Sequence, residues 1–127
     1  MKPTDLRGGA RFTAAVRNSI YGLRKAWVHE RAFRAEVLLL IPGIPAALWL
    51  GDSVGQSAML IVSLVFIILM EVINSAIEAI IDRIGDDPHR LSRRAKDLGS
   101  AAVMIACLNA IVIWAVMALA KFGFVTL

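Results

Sequence analysis

Four polar residues in the stretch E-V-I-N-S-A-I-E-A-I-I-D-R-I, Glu71 to Ile84, have the types and spacing to do chemistry. On a helix turning ~100° per residue, Glu71, Asn74, Glu78 and Asp82 fall within roughly 80° of arc. Val72, Ile73, Ile77, Ile80 and Ile81 occupy the other sides. The apolar run Ser57 to Met70 leads straight into this segment, so its acidic face begins inside hydrocarbon. A carboxylate at membrane depth costs at least ~2.5 kcal/mol on insertion scales, and more in simulations. The face must therefore turn to protein or to a wet cavity. Carboxylates one and two turns apart suit a divalent cation, a general base, or both. The competing reading is a polar seam between helices, with each acid protonated or paired. Four groups in register argue against it.

The elements that must hold this face follow from hydropathy. The chain has 127 residues, enough for one domain, and 58% of them are hydrophobic. That share exceeds the roughly 45–50% of soluble chains and points to a membrane protein. From Arg11 the pattern is helical: Phe12, Val16, Ile20, Leu23 and Trp27 form an apolar stripe, and Arg17, Arg24 and Arg31 a basic one. A basic amphipathic helix with tryptophan at its edge suits the headgroup region. An ordinary soluble amphipathic helix is the alternative, and the apolar spans that follow disfavour it.

The sequence thus predicts an all-α membrane protein: a surface helix over about 11–30 and transmembrane helices over about 32–50, 57–84 and 98–120. Met1 to Ala10, polar and glycine-bearing, is expected to be mobile. Pro42 and Pro45 inside the first span predict a kink. Gly99, Ser100, Ala101 and Ala102 permit a close helix approach, and Asn109 is expected to bond across to another helix. The single cysteine, Cys107, sits in an apolar run and reads as a small core or lipid-facing residue. There is no cleavable signal pattern, because an amphipathic stretch follows the basic N-terminus.

Charge sets the topology. Of the 14 Lys and Arg residues, those from Lys2 to Arg34 precede the first span and those from Arg83 to Lys96 flank the second connector. Lys121 alone follows the third span. The positive-inside rule then places the N-terminus and that connector in the cytoplasm and the C-terminus outside. The net charge of +4 is accounted for by this topology and calls for no nucleic acid. Counted from Ser57 at ~1.5 Å per residue, Glu71 lies about 9 Å below the cytoplasmic boundary of a ~30 Å core. Glu30, Glu78, Asp82, Lys96 and Asp97 converge on the same layer, where a cytosolic solute and a lipid headgroup meet. Carboxylates for Mg²⁺, a lysine and arginines for phosphates, and a deep glutamate as base describe phosphoryl transfer. No G-x-x-x-x-G-K-[ST] loop or protein-kinase motif is present, so any ATP is bound without a standard nucleotide fold.

The block from Glu71 to Ile84 resembles the signature of the bacterial integral-membrane diacylglycerol kinases, the prokaryotic diacylglycerol kinase and undecaprenol kinase family. R-A-K-D-L-G-S-A-A-V (Arg94 to Val103) resembles its second block, and G-L-R-K-A-W-V-H-E-R-A-F-R-A-E (Gly22 to Glu36) its first. The likeness runs from Arg11 to about Phe122 in order. It implies a homotrimer of three-span subunits in the bacterial inner membrane, with active sites between subunits. It also implies transfer of the ATP γ-phosphate to diacylglycerol, giving phosphatidic acid. By matching position, Glu71 would be the general base, and Glu30 and Glu78 would hold the Mg²⁺ that bridges the ATP phosphates. Lys96 and Asp97 would contact the nucleotide, and Arg11 would reach both substrates. Asn74 and Ser100 would line the site around Glu71, and Arg24, Trp27, Arg34 and Glu36 would lie where the lipid headgroup docks. His89 is a candidate for a ribose or base contact, against the alternative of an exposed loop residue.

Plainer roles compete with several of these. Lys96 also reads as a positive-inside anchor and Trp27 as a belt residue, and Asp82 as a partner of Arg83 or Arg94. Asp86-Asp87-Pro88 departs from the family's connector, as do Pro42 and Pro45 from its first span. A polyprenol kinase shares this pattern and is the alternative activity. A small ion or proton transporter with a Glu71–Glu78 relay would need acids on both sides of the membrane, and the outer half offers only Asp52.

Overall fold

The computed structural model describes residues 8–126; the expected mobility of residues 1–7 falls outside them. Four helices make up the described chain: α1 (Gly8–His29), α2 (Arg31–Leu50), α3 (Val54–Ile84) and α4 (Arg90–Lys121). Each boundary has a local cause. Glu30 alone is non-helical between α1 and α2, with extended backbone at φ −103° and ψ 112°. Arg34 locks this corner: its Nη1 donates to the carbonyls of Trp27 at 2.8 Å and Val28 at 2.9 Å. These are carbonyls of the last turn of α1, which have no partner within their own helix.

Helix α3 starts upstream of the apolar run because Ser53 caps it, its Oγ accepting the Gln56 N–H at 3.2 Å. It stops at Gly85, whose φ of 144° lies in a region that L side chains rarely adopt. The largest departure from expectation is α4. The basic segment from Arg90 to Lys96 is its first two turns, not a loop. His89 makes that start possible, its Nδ1 accepting the Leu91 N–H at 3.2 Å. Helix α1 likewise begins at Gly8, ahead of the apolar stripe. Both prolines lie inside α2, which runs through them unbroken.

Helix α3 is the central element, packed along α4 and, less extensively, along α2. Ala47, Leu50, Leu60 and Met117 form one buried cluster. Leu64, Ile67, Ala106 and Ala110 form the next. Alanines on α4 opposite leucine and isoleucine on α3 bring the two helices close, the packing expected where lipid supplies no hydrophobic drive. Buried Ser63 donates to the Leu60 carbonyl at 2.7 Å and accepts the Trp114 indole N–H at 3.2 Å. At the end remote from the acids, Lys121 bonds Asp52 at 2.6 Å and Trp49 tilts against Phe122.

Helices α2, α3 and α4 are each long and apolar enough to cross a membrane. Their outer faces present bare side chains such as Ile41, Leu48, Val62 and Ile111. Asn109 lies on such a face, exposed on α4, and does not reach across to another helix of its own protomer. α1 buries none of its residues, and its stripe of Phe12, Val16, Ile20 and Leu23 is exposed.

Candidate active site

Helix α3 carries the centre of the site. Glu71 is 7% exposed and Asn74 9% exposed, so two of the four aligned polar groups face the protein interior. Asn74 is oriented at both ends. Its Nδ2 donates to Glu78 Oε1 at 3.2 Å, one turn closer to the C-terminal end of α3. Its Oδ1 lies against Gly99 of α4, so close that a Cβ at Gly99 would overlap it. That oxygen is buried without a hydrogen-bond partner among the described residues.

Around Glu71 the structure gathers acids from two helices. Glu30 at the start of α2 and Glu78 on α3 lie near enough for their charges to act on Glu71. Glu71 in turn acts on Glu36, one of whose carboxylate oxygens is buried and unpartnered. The corner at Glu30 thus sets α2 so that both Glu30 and Glu36 come near Glu71. Among the described residues, no group of three or more His, Cys, Asp or Glu side chains is arranged to hold a metal ion. An ion there would take fewer protein ligands than that.

Below the acids lies a groove of about 490 Å³ with almost wholly apolar walls, lined by Pro42 and Gly43 of α2, Leu64 and Ile67 of α3, and Cys107 and Trp114 of α4. Ile67, one helical turn before Glu71, and Leu39, about one turn after Glu36, line it, so the near end of the groove lies about one turn from each acid along its helix. Hydropathy alone did not announce this feature, because glycine and proline in an apolar span read as packing or kinking residues.

The remaining expected site residues divide in two. Lys96 reaches across from α4 to Asp82, its Nζ 2.5 Å from Oδ1. Asp82 has therefore left the buried face, and its partner is neither Arg83 nor Arg94. Asp97 and Ser100 lie on the exposed side of α4. Gly99, one residue before Ser100, is the residue that meets Asn74. The sequence signal was present in the small-residue run at Gly99, though nothing in it pointed to Asn74. His89 is spent on the α4 cap and Arg34 on the α1–α2 corner. Arg11, Arg24 and Trp27 are exposed along α1. Arg11 sits about 28 Å along that helix from Glu30 at ~1.5 Å per residue, beyond the reach of an arginine side chain. Within one protomer the site is therefore the acid cluster, Asn74, the Lys96–Asp82 pair and the groove.

Comparison with known proteins shows the family. Residues 17–118 match the family model for prokaryotic diacylglycerol kinase. The chain belongs to the prokaryotic diacylglycerol kinase family. A diacylglycerol kinase of Escherichia coli strain K12 is 42% identical over 116 residues, covering 91% of this chain and 95% of that one. One from Pseudomonas aeruginosa is 39% identical over 118 residues, covering 91% and 96%. One from Haemophilus influenzae is 41% identical over 96 residues, covering 76% and 81%. Membership makes the chain a lipid kinase that crosses the membrane more than once, and a kinase of this family uses ATP. The three long apolar helices accord with a kinase that sits in the membrane.

Proposed function

We propose that the protein transfers the γ-phosphate of ATP to the free hydroxyl of diacylglycerol, releasing phosphatidic acid and ADP at the cytoplasmic face of the bacterial inner membrane. The observation that carries this reading is the buried Glu71, one helical turn along α3 from an apolar groove, with Glu30, Glu36 and Glu78 near it. A lipid hydroxyl held at the top of that groove, with its acyl chain below, reaches Glu71 without leaving the bilayer.

In this reading Glu71 takes the hydroxyl proton as the oxygen bonds to the γ-phosphorus and the bond to ADP breaks. General-base assistance of this kind contributes roughly 10²–10⁴-fold. Asn74 holds Glu78 through its Nδ2, one turn from Glu71. Glu30 and Glu78 suit Mg²⁺, which is held by one or two carboxylates and substrate phosphates and keeps several waters. Bound there, the ion would offset the negative charge of the phosphates. Lys96 and Asp97 at the start of α4 attend the nucleotide. Arg24, Trp27 and Glu36 attend the lipid headgroup, and Arg34 serves it by fixing the α1–α2 corner. α1 lies in the headgroup layer on its exposed apolar stripe, with its basic side towards phosphates. The N-terminus and the α3–α4 turn are cytoplasmic, and the C-terminus is outside.

We assign the assembly to a homotrimer with sites shared between subunits. Two features support this: Arg11 and Ser100 do not reach Glu71 within one protomer, and Asn109 presents an amide on an outer face inside hydrocarbon. Unsatisfied amides there are costly.

The experiment offers diacylglycerol and undecaprenol in parallel to the purified protein in detergent micelles, with γ-labelled ATP and Mg²⁺. Label in phosphatidic acid, lost on chelation, is the expected result. Label only in the polyprenol would keep the chemistry and replace the substrate. Label in neither, from a folded oligomer, would refute the kinase reading.

A further inference from the structure

Asp82 is the exposed member of the aligned polar face, near the C-terminal end of α3. Its side chain is 65% exposed, and it meets Lys96, fourteen residues on in the chain, at 2.5 Å. The pair bridges the last turns of α3 and the first turns of α4. Lys96 lies within range of the charges of Glu78 and Asp86 as well as Asp82. It faces three acids, yet bonds only the one on the outer edge. Asp82 is one helical turn from Glu78, so the ammonium is held at the level of the carboxylate that faces the nucleotide. Asp86, Asp87, His89 and Arg93 complete the rim of a small cleft of about 220 Å³ around this pair.

We infer that Asp82 is a positioning residue: it holds the Lys96 ammonium at the edge of the Glu78 layer, ready to receive the phosphates of ATP. This rests on the ATP reading above and assigns Asp82 a part in it that is neither metal binding nor proton transfer. The physical need is plain. Lysine is a compact charge on a flexible four-carbon stem. A half-exposed lysine with no anchor samples many positions, and most of them point to solvent. An anchoring carboxylate on the neighbouring helix removes that freedom before the nucleotide arrives. Asp82 is exposed enough to keep its own hydration, so Lys96 can share its donors between Asp82 and a phosphate without burying an unpaired charge. A lysine ammonium has three donors for this purpose.

The test is binding of the β,γ-methylene analogue of ATP with Mg²⁺ to the full-length protein in micelles, alongside steady-state kinetics and thermal unfolding. Asp82→Asn is expected to weaken analogue binding about 5-fold, the worth of an exposed ion pair. KM for ATP should rise by a similar factor, with a smaller change in kcat. Asp82→Glu, which can rebuild the pair, should bind more tightly than Asp82→Asn. In a Lys96→Met background the Asp82→Asn change should add nothing, because the effect runs through the lysine. Binding by Asp82→Asn that equals or exceeds wild type would overturn the inference, since Asp82 would then only repel phosphate. An Asp82 effect that persists without Lys96, or a drop in kcat and melting temperature with unchanged binding, would also overturn it. Failure of the wild-type protein to bind the analogue would instead refute the ATP reading itself.

Discussion

Gly99→Ala tests how the site is built. A Cβ at residue 99 would overlap Asn74 Oδ1 and lie 3.6 Å from Ile77 Cδ1. The overlapped atom is the tip of a rotatable side chain, so the amide swings aside and the helices keep their separation. Two energies then act in opposite directions. Replacing glycine by alanine in a helix interior stabilises it by up to ~1 kcal/mol. Rotating the amide breaks the Asn74–Glu78 hydrogen bond, and a bond to a charged group is worth ~1.5–3 kcal/mol. Much of that loss is recovered as Glu78, only partly buried, regains water. Net stability therefore changes by less than about 1 kcal/mol, a shift of a few degrees in melting temperature for a chain of this size. Activity has no such recovery. If Asn74 holds Glu78 through the transition state, kcat/KM falls ~10–100-fold, at about 1.4 kcal/mol per decade. The assay is label transfer from ATP to diacylglycerol in micelles, with thermal unfolding measured on the same preparation. Gly55→Ala, where the nearest atom to the new Cβ is Ser53 Oγ at 3.8 Å, is the control and should keep full activity. Wild-type kcat/KM in Gly99→Ala would refute the role given to the Asn74 amide. Loss of the folded state would refute the claim that the amide yields.

Three further substitutions probe other parts. Glu71→Gln should fold and bind the ATP analogue nearly as wild type but lose ~10²–10⁴-fold in kcat, as the loss of a general base requires; turnover near wild type would remove Glu71 from that role. Glu78→Ala should lose the Mg²⁺ dependence of ATP binding, and a Mg²⁺ titration indistinguishable from wild type would take it out of the metal site. Arg34→Leu leaves the carbonyls of Trp27 and Val28 without their guanidinium, so amide hydrogen exchange should rise across α1 while α3 and α4 stay protected; unchanged exchange in α1 would show that the corner is held by something else.

The helical class, the three apolar spans and the burial of Glu71 and Asn74 were legible in the sequence. These follow from local rules: apolar length matched to bilayer thickness, the helical period, and the cost of a carboxylate in hydrocarbon. Residues whose role depends on what another helix presents were not legible in the same way. Asp82 shares the wheel position of the site acids, yet lies exposed near the end of α3 and pairs with Lys96 of α4. Asn109 reads as a bonding residue by type, but α4 presents that face outward. Ser100 reads as a site residue by motif, but the α3–α4 contact puts Gly99 opposite Asn74. The start of α4 was hidden because a histidine ring caps it, a local bond that basic composition masks. Periodicity tells which residues share a face of one helix. Only the packing of α2 and α4 on α3 decided which face each turns to the others, because those contacts join residues far apart in the chain.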